Sequence, residues 1–363
     1  MAKRVRILVV GVGNMGLSHA KAYLSNPGFE LVGLMSRTIR GRNDLPPEFA
    51  DIPRFEDFDQ ALAAAKPNAV SINTYPNTHA DYAIRAMDAG CHVFMEKPIA
   101  TNEADARAVV AKATETDLKL VLGYILRVHP SWAKLVEIGR TLGKPLVMRM
   151  NLNQQSSGPA WNWHKNLMES LTPIVDCGVH YVDVMCQLTG AKPVRVHGIG
   201  ARLSSETKVQ NYGHLHVTFD DGSVGWYEAG WGPMMSEIAY FVKDVVGPKG
   251  AVSIVVAQEG QHEAKTDKVS DSADIDQHTK TNALRVHHAE INADNHFVKP
   301  DTVITMADEP DHQELCNREQ AYFLQAITED LDLSDSMAAA VDSLRIVLAA
   351  QESIDTQRAV NLV

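Results

Sequence analysis

The stretch RVRILVVGVGNMGLSHAKAYL, residues 4–24, decides how the first part of this chain folds. It opens with a mostly apolar run from Val5 to Val10, which has the length and composition of a buried strand. Three glycines follow in the spacing GxGxxG, and the residues after them are typical of a helix. A strand, a glycine turn and a helix in this order predict the dinucleotide-binding turn of a Rossmann domain.

The three glycines have different physical roles in such a turn. Gly11 permits the tight turn, Gly13 lets the backbone approach a pyrophosphate, and Gly16 lets the helix pack closely on the strand. The helix N-terminus offers free N–H groups and a positive dipole end to the phosphates, and we assign Asn14 and Met15 to the same site. The alternative is a glycine-rich turn that binds no ligand.

A second apolar run, Phe29 to Met35, predicts the strand whose end meets the adenosine ribose. Ser36 and Arg37 stand at that point, and no carboxylate occupies it. A carboxylate accepts a hydrogen bond from the ribose 2′-hydroxyl of NAD, whereas hydroxyl and guanidinium groups suit the 2′-phosphate of NADP. The sequence therefore favours NADP over NAD, although an arginine also stacks on adenine in NAD sites. A solvated, arginine-rich loop is the alternative interpretation.

Segments typical of helices and of strands alternate with short connections as far as KLVLGYI, residues 119–125. This alternation predicts a doubly wound parallel sheet, and we place the dinucleotide-binding Rossmann domain at residues 1–127. Ligands of such sheets lie beyond the C-terminal ends of the strands. Polar side chains at three of these ends are therefore assigned to the cofactor or the substrate: Thr74, Asn77, His79, Glu96, Lys97, Tyr124 and Arg127.

The segment CHVFMEKPIA, residues 91–100, carries the sharpest of these signals. A core strand ends in Glu96 and Lys97, and Pro98 then stops the hydrogen-bond ladder and restricts the backbone. Lys97 is therefore predicted to project from the rim of the sheet, where a nicotinamide ring would lie. The Lys97–Pro98 bond is a candidate for the cis form. The alternative is an ordinary surface lysine at a strand end.

A second candidate site lies in TPIVDCGVHYVDVMCQLTG, residues 172–190, which is predicted to form a single buried helix from about Pro173 to Thr189. Its polar side chains recur at spacings of four, three and four residues and share one stripe: Asp176, His180, Asp183 and Gln187. A neutral histidine can accept a proton at neutral pH, and a carboxylate one turn earlier can orient the imidazole. The stripe therefore predicts either part of a catalytic site or a satisfied polar network.

The GVGNMG turn, the EKP triplet at Glu96–Pro98 and the DxGxH motif at Asp176–His180 together resemble the Gfo/Idh/MocA oxidoreductase family. The resemblance implies a Rossmann domain followed by an α/β domain with a large open sheet, which often forms dimer or tetramer interfaces. It also implies hydride transfer between a nicotinamide cofactor and a hydroxyl or ketone carbon of a sugar, cyclitol or sugar derivative. It assigns the catalytic roles to Lys97, Asp176 and His180.

The chain departs from the family pattern in two places. Relatives often carry Asn-Arg-Arg-Phe after the sixth strand, whereas this chain has YILRVHP, which keeps Tyr124 and Arg127 without the asparagine. Relatives also often carry a glycine-rich segment before DxGxH, where this chain has MESLTPIV. Both segments border the substrate in the family, so the sequence leaves the identity of the substrate open.

Residues 128–363 are predicted to form the second domain, which binds substrate and mediates oligomerisation. Long consecutive strands indicate a mostly antiparallel sheet with an open face. Trp163 is assigned to the substrate together with Lys97, Tyr124, Arg127, Asp176 and His180, because an aromatic face suits a sugar ring; a core tryptophan is the alternative. Residues 257–312 are polar and lack metal-ligand spacing, and are interpreted as a variable excursion from the sheet.

Composition excludes several classes of partner. The formal charge is −11, from 34 basic and 45 acidic side chains, which argues against nucleic acid or an anionic membrane. No apolar run approaches the roughly 18 residues that cross a membrane, and the four cysteines show no metal-binding spacing. We expect a cytoplasmic homo-oligomer, a dimer or tetramer, that binds no metal.

Two other functions stay open. An NAD-dependent glycosidase would oxidise its substrate transiently, with no net redox change. A non-catalytic NAD(P)-binding regulator would not need the lysine, aspartate and histidine together, because a regulator requires no base.

Overall fold

The computed structural model describes residues 4–235, 242–255, 281–307 and 309–362. Contacts between Cα atoms divide the chain into two units, which consist of Met1–Ile125 with Gln313–Val341 and of Leu126–His312 with Asp342–Val363. The sequence predicted a boundary after residue 127, two residues from the structural one. It assigned residues 313–341 to the second domain, whereas the structure groups them with the first.

The first unit contains a six-stranded parallel sheet with the strand order β3-β2-β1-β4-β5-β6. Its strands are β1 (Val5–Val10), β2 (Phe29–Met35), β3 (Arg54–Phe55), β4 (Ala69–Ile72), β5 (His92–Glu96) and β6 (Leu120–Gly123). The connecting helices are α1 (Asn14–Ser25), α2 (Phe58–Ala65), α3 (His79–Asp88) and α4 (Glu103–Thr116). The predicted doubly wound parallel sheet is confirmed, and the chain reverses its direction of winding between β1 and β4, where such sheets bind ligands.

Local sequence explains where these helices begin and end. Asp57 caps α2 by accepting a hydrogen bond from the Gln60 backbone, and Asn102 caps α4 by accepting one from the Asp105 backbone. Lys66 ends α2 in the left-handed conformation, with φ at 46°. Short polar side chains therefore satisfy N–H groups that the first helical turn leaves without partners.

The second unit contains a nine-stranded sheet with the strand order β14-β13-β12-β11-β7-β10-β9-β8-β15. Its strands are β7 (Val147–Gln155), β8 (Pro193–Ala201), β9 (Tyr212–Phe219), β10 (Val224–Gly232), β11 (Lys243–Gly247), β12 (Gly250–Val255), β13 (Ala283–His288), β14 (Thr302–Thr305) and β15 (Val360–Asn361). Within this second sheet, only β7 and β10 pair in parallel among its described strands. The predicted mostly antiparallel sheet is confirmed.

Residues 257–312 were predicted to be an excursion from the sheet, but the second half of this segment contributes two strands to it. Residues 257–280 lie outside the described residues, whereas Ala283–His288 pairs with β12 and Thr302–Thr305 pairs with β13. Alternate buried side chains of β13, such as Leu284 and Val286, supply the apolar face that a strand needs. The polar average over the whole segment concealed this short alternation.

Helices of the second unit cover one face of its sheet. They are α5 (Pro130–Gly139), α6 (Gly158–Leu167), α7 (Pro173–Asp176) and α8 (Gly178–Thr189). The single helix that the sequence predicted from about Pro173 to Thr189 is thus two helices. The break falls at Cys177, whose carbonyl accepts from the His180 backbone three residues later, a tighter turn than the α-helix has.

Two more helices, α9 (His312–Thr328) and α10 (Ser334–Thr356), lie between β14 and β15 in the chain. Phe323 of α9 is fully buried in the first unit, with its ring 6.3 Å from that of Phe29 and 6.1 Å from that of Phe94. Residues 313–341 belong to the first unit because they supply apolar side chains to its core. None of the helices in the described part of the chain combines the length and apolarity needed to span a membrane.

Candidate active site

The glycine turn joins β1 to α1, as the sequence predicted, and two of its glycines have no room for a side chain. Gly11 has a φ of +88°, and a Cβ atom on it would lie 2.4 Å from the carbonyl oxygen of Asn73. A Cβ atom on Gly16 would lie 1.9 Å from the carbonyl oxygen of Gly11. These positions require glycine because the turn, α1 and the end of β4 pack backbone against backbone.

Gly13 is different, because a Cβ atom built on it meets no described atom within 4 Å. Gly13 is the residue just before α1, so no side chain caps the N-terminus of this helix, and the first turn of α1 carries no acidic residue. Its surroundings are therefore open space at the positive end of a helix, where N–H groups can receive an anion. The turn fits a dinucleotide pyrophosphate, which would lie against Gly13, Asn14 and Met15.

The end of β2 carries the residues that we expect near the adenosine ribose. Ser36 is half-buried and donates its backbone N–H to Phe55, and Arg37 is exposed. Arg42 donates two hydrogen bonds to Asp44, at 2.6 and 2.8 Å, and a third to the Val12 carbonyl. This contact lowers the pKa of the Asp44 carboxyl. Arg42 is therefore engaged in holding the glycine turn.

Arg40 lies 3.4 Å from Glu56, with both side chains exposed. Arg37 makes no ion pair with any residue that the structure describes. Among the three arginines of this loop, Arg37 is therefore the one best placed to contribute an uncompensated positive charge.

The loop after β4 contains three predicted cofactor residues in different environments. Thr74 is half-buried, with its hydroxyl 2.6 Å from that of Thr78, and Asn77 is exposed. His79 is fully buried, and its ring nitrogens lie 2.7 Å from the Pro98 carbonyl and 2.9 Å from the Thr74 carbonyl. Burial lowers the pKa of His79, and the hydrogen bonds to the Pro98 and Thr74 carbonyls act in the opposite direction. His79 connects the loop after β4 to the EKP segment.

The EKP segment ends β5 as predicted, and the Lys97–Pro98 peptide bond is cis. Glu96 is buried, and one of its carboxylate oxygens accepts a hydrogen bond from the Lys97 backbone at 3.2 Å. The other oxygen lies 2.8 Å from Nε2 of His19, a residue of α1 that sequence reasoning did not single out. Tyr124 is buried just after β6. The first unit thus presents the glycine turn and Lys97 at the C-terminal edge of its sheet.

The polar stripe of α7 and α8 divides into two parts. Asp183 is 1% exposed and accepts hydrogen bonds from Arg127 at 2.9 and 2.5 Å and from Gln187 at 2.8 Å. Asp176 is buried and His180 is half-buried one turn later. A satisfied ionic network therefore occupies the Asp183 half of the stripe. The catalytic role of Asp176 and His180 stays a prediction from the sequence.

The two tryptophans of α6 also differ. Trp161 is buried and donates its Nε1–H to Glu206, whereas Trp163 is 53% exposed. His164 stacks on Trp231 with ring centroids 4.5 Å apart. Trp161 is a core residue, and Trp163 leaves an aromatic face accessible to a ligand. The four cysteines are free thiols.

Two models of one protein family match this chain. Residues 5–124 match the family model described as GFO/IDH/MocA oxidoreductase, NAD-binding Rossmann fold, and residues 133–253 match the GFO/IDH/MocA C-terminal domain. The chain is 28% identical over 265 residues to scyllo-inositol 2-dehydrogenase (NAD(+)) of Bacillus subtilis strain 168, covering 70% of this chain and 75% of the relative.

A second relative is the UDP-N-acetylglucosamine 3-dehydrogenase of Acidithiobacillus ferrooxidans, which is 30% identical over 220 residues, 61% of this chain and 65% of its own. Among solved structures, a putative myo-inositol dehydrogenase from Sinorhizobium meliloti 1021 has the same fold. Its TM-score is 0.73 at 20% identity, and the similarity covers 99% of this chain and 100% of that one.

Proposed function

The chain belongs to the Gfo/Idh/MocA family of oxidoreductases, and on that premise we propose that it is an NAD(P)-dependent dehydrogenase or reductase of a sugar, cyclitol or sugar derivative. The observation that carries the proposal is the half-buried His180 one turn after the buried Asp176. This pair stands in a chain whose other unit holds a turn with room for a pyrophosphate. Relatives named as inositol and UDP-N-acetylglucosamine dehydrogenases support the substrate class.

In the proposed reaction, His180 is the general base. It accepts the proton of the substrate hydroxyl, and the carboxylate of Asp176 stabilises the imidazolium that forms. Lys97 donates a hydrogen bond to the same substrate oxygen and stabilises the developing alkoxide charge. The bound nicotinamide supplies the hydride acceptor, or the hydride donor in the reverse direction. In that direction His180 or Lys97 returns the proton to the carbonyl oxygen.

The Arg127–Asp183–Gln187 network has a supporting role in this proposal. It holds α8 to the segment before α5 and keeps Arg127 in one orientation, which suits a residue that borders the substrate. Tyr124 and Trp163 complete the proposed substrate contacts. Asp183 is not assigned to the base role, because Arg127 already compensates its charge.

We also propose that the cofactor is NADP in preference to NAD. The exposed Arg37 at the end of β2, with Ser36 beside it, supports this proposal, because no carboxylate occupies the position where the ribose 2′-hydroxyl of NAD is recognised. The family model and the Bacillus relative name NAD, and the preference rests on the residues of this chain alone.

A homo-oligomer that associates through the open face of the second sheet is part of the same proposal. Val147 pairs with Val224 on one side and Val246 on the other, and the three valines are exposed on adjacent strands. An exposed apolar row of this kind favours association. The cytoplasmic location stays a prediction from the sequence.

The test is a screen of sugars, cyclitols and sugar acids in which nicotinamide absorbance is followed with NAD and NADP in parallel. We expect substrate-dependent reduction of cofactor, which Lys97→Met and His180→Ala both suppress. Glycoside cleavage without net reduction, with cofactor retained through purification, would instead select the glycosidase alternative. Tight cofactor binding without turnover on any substrate of the panel would select the regulator.

A further inference from the structure

A continuous row of buried hydrogen bonds lies behind the EKP segment, within the first unit. The Tyr23 hydroxyl donates to Oε1 of Gln320 at 2.6 Å, and Nε2 of Gln320 lies 2.9 Å from Nδ1 of His19. Nε2 of His19 lies 2.8 Å from Oε1 of Glu96, and Oε2 of Glu96 accepts from the Lys97 backbone at 3.2 Å. We call Tyr23, Gln320, His19 and Glu96 the EKP relay.

The relay is sealed from solvent. His19 and Gln320 are 0% exposed, Tyr23 is 1% exposed and Glu96 is 8% exposed. The His19 ring also packs against Phe94, with centroids 4.8 Å apart. Without competing water, each hydrogen bond in the row constrains the direction of the next one.

These directions specify one tautomer of His19. The Gln320 amide has one acceptor and one donor group, and its oxygen already accepts from Tyr23. Its NH₂ group therefore faces Nδ1 of His19, which must accept, so the ring proton resides on Nε2. That proton is donated to Oε1 of Glu96, and the Lys97 backbone donates to Oε2. Donors at both oxygens favour the ionised carboxylate.

A second buried acid, Glu319, lies next to the relay. Glu319 is 4% exposed, and neither of its carboxyl oxygens has a hydrogen-bond partner among the described residues. Burial, reinforced by the nearby charge of Glu96, holds the pKa of Glu319 well above its ordinary range. The raised pKa of Glu319 and the two donors that face Glu96 both favour the negative charge on Glu96.

The far end of the relay meets Lys97, the residue with a proposed role at the substrate oxygen. Gly123 lies beside Glu96 on the neighbouring strand β6. A Cβ atom on Gly123 would lie 3.3 Å from the Glu96 carboxyl, so glycine at this position leaves room for the carboxylate. His19 and the Lys97 backbone hold the two oxygens of one rigid carboxylate. The backbone from which the lysine side chain leaves β5 is thereby held in place.

We propose that Tyr23, Gln320 and His19 are positioning residues that keep Glu96 ionised and anchored on the Lys97 backbone, so that the amine of Lys97 meets the substrate oxygen in one orientation. The claim about the relay stands on the contacts of the first unit. The claim about Lys97 rests on the proposed function.

The decisive variant is Gln320→Glu, which preserves shape and replaces the donor facing His19 with an acceptor. The introduced carboxylate accepts from Tyr23 and from Nδ1 of His19, so the His19 ring gains a proton on Nδ1. We would record the ¹⁵N shifts of histidine-labelled full-length protein, assigning His19 by the signal lost in His19→Gln. The native protein should give the neutral Nε2–H tautomer, and Gln320→Glu should lose it.

The kinetic expectation for Gln320→Glu is a fall in kcat of roughly tenfold with the substrate KM changed by less than about twofold. The His19 ring is then shared between two carboxylates, so it holds Glu96, and with it the Lys97 backbone, less firmly. Gln325→Glu is the matched control, since it adds the same charge at an exposed position of the same helix and should change neither readout. Tyr23→Phe is the second variant, because it removes only the hydroxyl that orients Gln320 and keeps the ring contact with Phe29. It should shift the tautomer signal in the same direction.

Two results would overturn the relay. One is a native His19 that already carries a proton on Nδ1. The other is a purified protein that contains about one zinc ion per chain and loses it in Cys316→Ser. His19, Cys316 and Glu319 lie close enough together to bind a metal. A bound metal would occupy a nitrogen of His19 that the relay uses for a hydrogen bond.

A tautomer change without any loss of kcat would overturn the positioning role alone. Undiminished turnover in Lys97→Met would remove the proposed function of that lysine and leave the tautomer result standing. The failures of the two proposals are therefore distinguishable.

Discussion

Arg127 and Asp183 form a two-pronged ion pair, with Nε to Oδ2 at 2.9 Å and Nη2 to Oδ1 at 2.5 Å, across 56 positions of sequence. The Asp183 side chain is 1% exposed and that of Arg127 is 26% exposed. Burial of a carboxylate is tolerated here because Arg127 and Gln187 together occupy its acceptor sites. Asp183 therefore contributes to the stability of the second unit through this network.

Replacing Arg127 by Met should destabilise the protein by about 3 kcal/mol or more, because it leaves the Asp183 charge buried without its cation. Urea unfolding followed by circular dichroism measures this change. The control is Lys134→Met, which removes an ion pair with Glu137 whose side chains are 39% and 65% exposed, and which should cost less than about 1 kcal/mol. Equal losses in the two variants would contradict the importance of burial.

Gly13→Ala should fold normally and bind the cofactor poorly. The added methyl group meets no described atom within 4 Å, and the φ of Gly13 is −73°, which alanine adopts freely. The space it fills is the space proposed for the pyrophosphate, so we expect cofactor affinity to fall at least about tenfold, as read by fluorescence titration. Gly16→Ala provides the contrast, because its Cβ would overlap the Gly11 carbonyl and should lower the melting temperature.

Arg37→Ala should lower kcat/KM for NADP by roughly tenfold or more and leave kcat/KM for NAD nearly unchanged, because only NADP carries the 2′-phosphate. Arg107→Ala is the control, since this exposed arginine of α4 pairs with Glu103 at a distance of one helical turn. Better use of NAD than NADP by the unmodified protein would contradict the preference for NADP.

His180→Ala should reduce turnover by roughly a hundredfold or more while the affinity for the cofactor stays the same, because a general base acts in the chemical step. Steady-state rates and cofactor titration measure the two quantities separately. His296→Ala, at an exposed position, is the matched control. Turnover that survives the loss of the imidazole would exclude His180 as the base.

Lys243 gives a prediction about stability and pH. Its side chain is buried, and burial lowers its pKa from the ordinary 10.5 to about 7. The unfolded chain therefore binds more protons than the folded chain between pH 7 and about pH 10, so the contribution of Lys243 to stability rises with pH in that window.

From pH 7 to pH 9 this contribution amounts to about 2 kcal/mol. The free energy of unfolding of Lys243→Met should lack this rise when the two proteins are compared at matched pH values. Parallel pH dependences would show that Lys243 keeps its proton in the fold.

The sequence predicted correctly those features of the fold that depend on residues close together in the chain. The GxGxxG turn, the strand that precedes Lys97 and the alternating segments of the first sheet each occupy a short stretch of chain, and the structure agrees with each. The stripe on residues 176–187 was also visible from helical periodicity. Periodicity did not reveal that Arg127 would bond to Asp183 and thereby separate the stripe into two parts.

The sequence by itself determined the Rossmann turn and the alternation of strands and helices in the first sheet, because these depend on backbone preferences and on apolar spacing within a few residues. Only the tertiary structure decided that α9 returns to the first unit and that Gln320 lies against His19, 301 positions away. A buried polar group needs a hydrogen-bond partner. The sequence around a single histidine in α1 or a glutamine in α9 does not indicate which distant residue will be that partner. The physical reason is that burial and hydrogen bonding depend on which segments share space, and chain order does not specify this.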